Sequence, residues 1–476
     1  MAIVQLEPGS FRDRHGRIVY YQHKVLRCLS ESATSHWTAL KSKRFFQDAV
    51  AHGHVVATTE VEADAQSLAL PDAEYWHTIL EHERIPLISY PYEWSFGMLK
   101  DAALLQLQLI EDALGEGMIL KDATAYNVQW RGAQPVFIDI PSFEVLEPGS
   151  AWVGYRQFCQ LFLFPLMLQA YRQVPFQPLL RGMVDGISVD MANQLFSWRD
   201  RLRAGVLAHV YLQAKMQSRY GATQRNIRND LKSAGFSLEL IRSNIRRLKR
   251  LVEKLTWRSS ASEWGDYNAM HNYSEEDHRL KGEFVERIVK DRDYTLVWDI
   301  GANTGQFSRI ASQHADYVIA ADMDPLAVER HYQQLRQAGC GNILPIVMNL
   351  ADPSPALGWR LQERRPLDDR GRPNLILCLA LIHHIVITAN IPLREFIDWL
   401  AQLGADVVIE FVSRDDEMVK TLLRNKEDQY HDYDLNYFEK CLTASYEIIT
   451  KQILRSGNRT LYLARPMGRG ETVQAI

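Results

Sequence analysis

In LVWDIGANTG, Leu296 to Gly305, a short apolar run ends in Asp299 and passes into a turn holding Gly301, Asn303 and Gly305. A second apolar run, DYVIAAD, ends in Asp322. The pattern reads as strand, tight turn, helix and strand, with an acid closing each strand, which is how an α/β unit holds a nucleoside. Glycine at 301 and 305 lets the backbone approach a ligand that a Cβ would block. The helix opening near Thr304 and Gly305 offers unpaired N–H groups. Asp322 stands about twenty residues past the turn, the separation at which a carboxylate reaches ribose hydroxyls. The turn is D-x-G-x-N-x-G and not G-x-G-x-x-G, and Asp299 suits an ammonium group while repelling a pyrophosphate. A nicotinamide-dependent oxidoreductase is therefore disfavoured.

On these residues the chain resembles class I S-adenosylmethionine-dependent methyltransferases. The resemblance implies that Asp299, Gly301, Asn303 and Gly305 line the methionine end of the cofactor, Asp322 the ribose, and Asn349, with Asp352 as the alternative, the adenine. After Asp322 the alternation of a doubly wound sheet continues. PLAVERHYQQLRQAG is a helix, NILPIVMNL a third strand, LILCLALIHHI a fourth and DVVIEFV a fifth, with YEIITKQILRS and RTLYLAR as a terminal antiparallel pair. Seven strands match the methyltransferase variant of the Rossmann-like fold. A sulfonium methyl is already activated, so transfer needs in-line placement and at most a base. His383, His384 and Glu410, at the ends of strands four and five, are the candidate catalytic bases. The insertion ADPSPALGWRLQERRPLDDRGRP is too polar and proline-rich for core; an ordinary surface loop is the simpler account, and the alternative is a lid over the acceptor with Trp359, Arg364 and Arg365 touching substrate.

At 476 residues the chain should form two or three domains. Its 46% hydrophobic and 24% charged content is that of a globular protein, and a net charge of -4 disfavours a dedicated nucleic-acid coat. Cys28, Cys159, Cys340, Cys378 and Cys441 are scattered and odd in number, with no C-x-x-C pair. They suit reduced thiols in a cytoplasmic protein better than a disulfide framework or a metal centre. MAIVQLEPGS has neither a basic n-region nor an apolar h-region, so no signal peptide is expected there, and the most apolar run, LFLFPLML, is too short for a membrane span.

The N-terminal half mixes short strands and helices, with MLKDAALLQLQLIEDALGEG a clear helix. MILKDATAYNVQWRGAQPVFIDIPSFE follows, and places Asp122, Asn127 and Asp139 in an order and separation that resemble the catalytic core of the protein-kinase-like fold. That resemblance implies Asp122 as base, Asn127 and Asp139 as Mg²⁺ ligands, and Mg²⁺-ATP as ligand. Leu120 and Lys121 replace His-Arg, Ile140 and Pro141 replace Phe-Gly, and neither a glycine-rich loop nor the usual lysine stands upstream. The alternative is that Asp122 and Asn127 organise a local turn.

From Arg219 the chain turns basic. Ile241, Ile245, Leu248, Val252 and Leu255 make an apolar stripe, and Arg246, Arg247, Lys249 and Arg250 crowd the rest. Without interleaved aromatics, a helix docking one domain on another is favoured over a nucleic-acid surface. Trp264, Tyr267 and Tyr273, with Lys281, have two equal readings, as a cap on the cofactor pocket or as packing residues. The chain is thus read as an α+β, kinase-like domain (1–218), a basic helical linker (219–264) and an α/β Rossmann-like methyltransferase domain (265–476). As a whole it resembles large bacterial class I methyltransferases with an extra N-terminal domain, among them proteins of rhizobial nodulation loci. The expected function is methyl transfer from S-adenosylmethionine to an oxygen or nitrogen of an unidentified acceptor, a small molecule or glycan. The alternatives are a bifunctional or regulatory protein that binds ATP, and a non-catalytic cofactor-binding scaffold.

Overall fold

The computed structural model describes residues 4–62, 70, 72–215, 238–258, 275–424, 426–427 and 429–467. The chain divides into two compact units. The first comprises Met1–Trp130, Pro135–Ser259 and Ala356–Arg364, and the second comprises Arg131–Gln134, Ser260–Pro355 and Arg365–Ile476.

In the first unit, β1 (Val4–Leu6), β2 (Gly16–Tyr21), β3 (Lys24–Leu29), β4 (Thr58–Glu60) and β5 (Thr78–His82) form one antiparallel sheet in the order β1-β2-β3-β5-β4. The helices Glu31–Lys41 and Arg44–Ala51 lie between β3 and β4 in sequence. Strand alternation divides β3: Leu26 and Cys28 join a core with Val19, Leu70 and Ile79, and Arg27 points the other way. The helix Phe96–Gly115 carries fourteen buried residues and starts on Ser95, whose side chain accepts from Met98 N–H. Behind it, β6 (Met118–Leu120) pairs with β9 (Phe143–Val145), and β7 (Val128–Arg131) pairs with β8 (Gln134–Phe137).

The basic helix packs within the first unit. Leu238–Lys254 belongs to the first unit, and Ile241, Ile245, Leu248, Leu251 and Val252 are buried along it. Arg246 pairs with Glu111 at 2.7 Å, and Lys100 donates to the Glu253 and Leu255 carbonyls at 2.9 Å. An apolar stripe of this length is worth most when covered, and the Phe96–Gly115 helix supplies the cover. Of the expected linker, 219–264, residues 219–237 and 259–264 lie outside the described residues.

The second unit is built on seven strands: β10 (Tyr294–Ile300), β11 (Ala315–Asp322), β12 (Ile343–Val347), β13 (Leu375–Cys378), β14 (Asp406–Val412), β15 (Tyr446–Ile453) and β16 (Arg459–Pro466). Their order is β12-β11-β10-β13-β14-β16-β15. The first five run parallel, β16 runs antiparallel to β14, and β15 runs antiparallel to β16. Every residue of β14 is buried, as expected of a strand covered on both faces, whereas the edge strand β15 alternates. The order reverses between β10 and β13, which places a crevice at the carboxyl ends of the strands. The fourth strand is shorter than its apolar run, because Ala380 takes a left-handed φ of 51° and His384–Thr388 winds into a π-helix.

Leu248 is fully buried and Arg250 is exposed. Leu248→Ala should therefore lower the stability of the first unit by about 2–5 kcal/mol in urea unfolding, with Arg250→Ala within about 0.5 kcal/mol of wild type. A free linker helix would make the two variants alike.

Candidate functional site

The turn after β10 is held open by three left-handed residues: Gly301 (φ 79°), Asn303 (φ 50°) and Gly305 (φ 75°). Gly301 and Ala302 N–H both donate to the Ala321 carbonyl, at 2.8 and 3.0 Å, which ties the turn to β11. Asn303 N–H donates to Asp322 Oδ2 at 2.7 Å, and Asp324 N–H donates to Asp322 Oδ1 at 2.9 Å. Each carboxylate oxygen keeps a lone pair for a hydroxyl donor. Burial raises the Asp322 carboxyl to about 6, against the lowering effect of the Asp324 and Asn303 amides.

Asp299 is 2% exposed, and its Oδ2 accepts from Ser308 Oγ at 2.5 Å. It braces the turn against the helix Gln306–Ala311, and burial raises its carboxyl to about 7. Gly305 is needed for more than ligand approach: a Cβ there would fall 1.9 Å from His331 Cε1 and 2.0 Å from Nε2. His331, on the helix Pro325–Ala338, is buried and its Nε2 has no hydrogen-bond partner. Asn349 lies past β12, exposed, with its side-chain carbonyl accepting from Ala351 N–H at 3.0 Å. Thus the structure brings Asp299, Gly301, Asn303, Gly305 and Asp322 together at the carboxyl ends of β10 and β11, with Asn349 at the end of the neighbouring β12.

The three candidate bases are placed differently from one another. Glu410 is fully buried in β14, 2.7 Å from Lys281 Nζ and 3.3 Å from Arg459 Nη1, and it accepts from Ala380 N–H at 2.8 Å. With two cations on it, the carboxylate is held below its usual range despite its burial. It is a buried counter-ion and not an open base. Lys281 likewise caps no pocket: its side chain is 3% exposed, and burial lowers its ammonium to about 8. His383 is enclosed, without a partner on either ring nitrogen, and burial holds it well below its usual value. His384, 4.2 Å from it between ring centroids, is partly exposed and lowered to about 4 by burial and then by Arg459. Of the three candidate bases, only His384 has solvent access.

The insertion after β12 is divided between the two units. Its stretch Ala356–Arg364 belongs to the first unit and Arg365 to the second. Trp264, Tyr267 and Tyr273 lie outside the described residues.

In the first unit, Asp122, Asn127 and Asp139 do converge. Asn127 Nδ2 donates to Asp139 Oδ2 at 3.3 Å, and Ser142 Oγ donates to the same oxygen. Burial raises Asp122 to about 6, with Asp139 the next contributor. Arg27 Nη1 sits 2.8 Å from Asp139 Oδ1. Sequence reading missed Arg27 because only its alternation within β3 marks it. Ser308, His331 and Arg459 were missed as well, each being a tertiary partner of a residue that was identified. Among the described residues, no group of three or more His, Cys, Asp or Glu is arranged to hold a metal ion.

No protein-family model matches the chain. It is 32% identical over 456 residues to nodulation protein NoeA of Rhizobium meliloti (strain 1021), covering 95% of this chain and 94% of that protein. Among solved structures it is weakly similar to N-methyltransferase NodS from Bradyrhizobium japonicum WM9 in complex with S-adenosyl-l-homocysteine. That likeness has 14% identity, 40% of this chain, 88% of the other and a TM-score of 0.30. Magnesium protoporphyrin IX methyltransferase (ChlM) from Synechocystis PCC 6803 with bound SAH gives 17% identity, 40% of this chain, 83% of the other and a TM-score of 0.30.

Asp299 and Asp322 have raised folded values, about 7 and about 6, so between pH 4 and 7 the folded state binds more protons than the unfolded one. Their contribution is present at low pH and is lost as pH rises through those values. Asp299→Asn should therefore stabilise the ligand-free protein at pH 7.5 more than at pH 5, by at most about 4 kcal/mol. Thermal unfolding at the two pH values checks this, and an equal effect at both would contradict it.

Proposed function

The chain belongs to the family of nodulation protein NoeA, and we propose that it is an S-adenosylmethionine-dependent methyltransferase acting on an oxygen or nitrogen of a small-molecule or glycan acceptor. The observation that carries this reading is the Asp322-closed turn at the point where the sheet order reverses. The residues fit the cofactor through Asp322, whose two oxygens, held in place by the Asn303 and Asp324 amides, can still accept from hydroxyls. When bound, S-adenosylmethionine would supply an electrophilic methyl group. The Gly301–Gly305 turn would hold its methionine end, Asp322 the ribose hydroxyls and Asn349 the adenine. Asp299 would act from beneath, by fixing the helix start through Ser308. His384 would be the residue able to take a proton from the acceptor, and its neutral ring suits that task. The nodulation role of the relative suggests a glycan among the acceptors to try first.

A second reading has its own support in the Asp122, Asn127, Asp139 and Arg27 cluster. Here the first unit, kinase-like, would bind Mg²⁺-ATP, making the protein bifunctional or regulatory.

Calorimetric titration with S-adenosylhomocysteine should give micromolar binding that Asp322→Ala weakens about a hundredfold or more, as loss of a charged acceptor from two hydroxyls predicts. A folded wild-type protein that binds nothing would overturn the methyltransferase reading. For the second reading, Mg²⁺-ATP titration should show binding that Asp139→Ala abolishes, and binding indifferent to that substitution would sink it.

A further inference from the structure

The two faces of the antiparallel sheet in the first unit differ in kind. Arg27 lies on the face that meets Asp139. The opposite face is set by register: Leu6 stands across from Val19, Val19 from Leu26, and Arg17 from Cys28, and residues directly opposed share a face. Val19 and Cys28 are fully buried there. Against them lies a cavity of about 580 Å³, the size of a small-molecule site.

The cavity is apolar on the sheet side, where Leu6, Val19 and Cys28 line it, and aromatic elsewhere, where Phe11, Tyr75 and Trp76 line it. Tyr75 and Trp76 meet edge to face, with ring centroids 5.0 Å apart and planes at 81°. The Tyr75 hydroxyl donates to the Arg14 carbonyl at 3.1 Å, which ties the 3₁₀ turn Ala73–Tyr75 to the segment between β1 and β2. Three parts of the chain far apart in sequence therefore bound one cavity.

Arg14, Arg17, Asp13 and Asp72 line it as well. Arg17 is supplied by the sheet itself, half-buried on the same face as Val19 and Cys28. Among the described residues neither its guanidinium nor that of Arg14 has an ion pair or a hydrogen bond. A guanidinium is always charged and carries five donors, so one that is half-buried and unpaired is prepared for an anion. The acids do not neutralise it. Asp13 accepts from His15 N–H at 2.8 Å through one oxygen. Its other oxygen lies 3.0 Å from where a Cβ on Gly16 would stand, and that Cβ would also be 3.7 Å from Arg27 Nη1, which puts this oxygen toward the Arg27 face. Asp72 is exposed, so water and salt screen its charge.

We propose that this cavity binds a small apolar carboxylate, aromatic or alkyl, with its body against Val19, Cys28 and Trp76 and its carboxylate on the Arg17 guanidinium. The planar fork of Arg17 matches a carboxylate, and Arg14 adds donors beside it. The site lies on the sheet face opposite Arg27 and stands apart from the methyltransferase and ATP readings.

The test is calorimetric titration of the full chain with 2-naphthoate, decanoate and the uncharged 2-naphthamide. At least one acid should bind, naphthoate more tightly if the aromatic wall selects and decanoate if the sheet side does. Arg17→Gln should weaken that acid about tenfold or more and leave naphthamide unchanged, as loss of a charged hydrogen bond predicts. Trp76→Ala should weaken acid and amide alike. Wild-type protein that is folded and binds neither acid would overturn the proposal. So would acid binding that ignores Arg17→Gln, or acid that S-adenosylhomocysteine or Mg²⁺-ATP displaces, since either would place it in another site. Should Trp76→Ala unfold the sheet, Arg17→Gln decides alone, because that guanidinium holds no ion pair or hydrogen bond whose loss could disturb the fold.

Discussion

One hydrogen bond organises the second unit: Asn303 N–H to the Asp322 carboxylate, 2.7 Å long. It joins the turn that leaves β10 to the end of β11. Together with the bonds from Gly301 and Ala302 to Ala321, it fixes the backbone of the turn in a left-handed path that an apolar strand end could not hold. The bond has a cost. The carboxylate is largely withdrawn from water, and burial raises it to about 6 against the lowering effect of its backbone amides. A carboxylate kept in that state, with one backbone amide on each oxygen, is a poor stabiliser and a well-prepared acceptor. Structures tend to retain such groups where a ligand completes them.

On the other side of the crevice the same economy is met differently. Glu410 is as deeply buried as Asp299 but is neutralised by Lys281 and Arg459, drawn from the helix Glu275–Asp291 and from β16. Its remaining capacity goes to Ala380 N–H, so the ion cluster sets the left-handed kink that ends β13 and starts the turn carrying His383 and His384. Buried ion pairs are weak stabilisers compared with apolar packing, and their strength lies in fixing geometry. Here they decide which histidine meets solvent. His383 is enclosed and His384 is not.

Much of the second unit was legible because parallel strands buried on both faces are written as unbroken apolar runs, and because the turn chemistry of Asp299, Gly301, Gly305 and Asp322 is local in sequence. The end of β13 was not legible: LILCLALIHHI is uniformly apolar until the histidines, and what stops the strand is a carboxylate thirty residues later. The partnership of Lys281 was hidden for the same reason. In the first unit, Asp122, Asn127 and Asp139 stood out by spacing, whereas Arg27 and the docking of Leu238–Lys254 depend on partners far away in the chain. That the 356–364 stretch joins the first unit is not legible in the sequence, because polarity and proline content reveal a loop and not the surface that receives it.

The central claim is that Asp322 is poised to receive a nucleoside's ribose. The most direct measurement is a crystal structure of the protein with S-adenosylhomocysteine. The account predicts both ribose hydroxyls within hydrogen-bond distance of Asp322, with the Asn303 N–H bond retained. Adenosine bound elsewhere in the chain, or an Asp322 carboxylate turned away from the ligand, would contradict it.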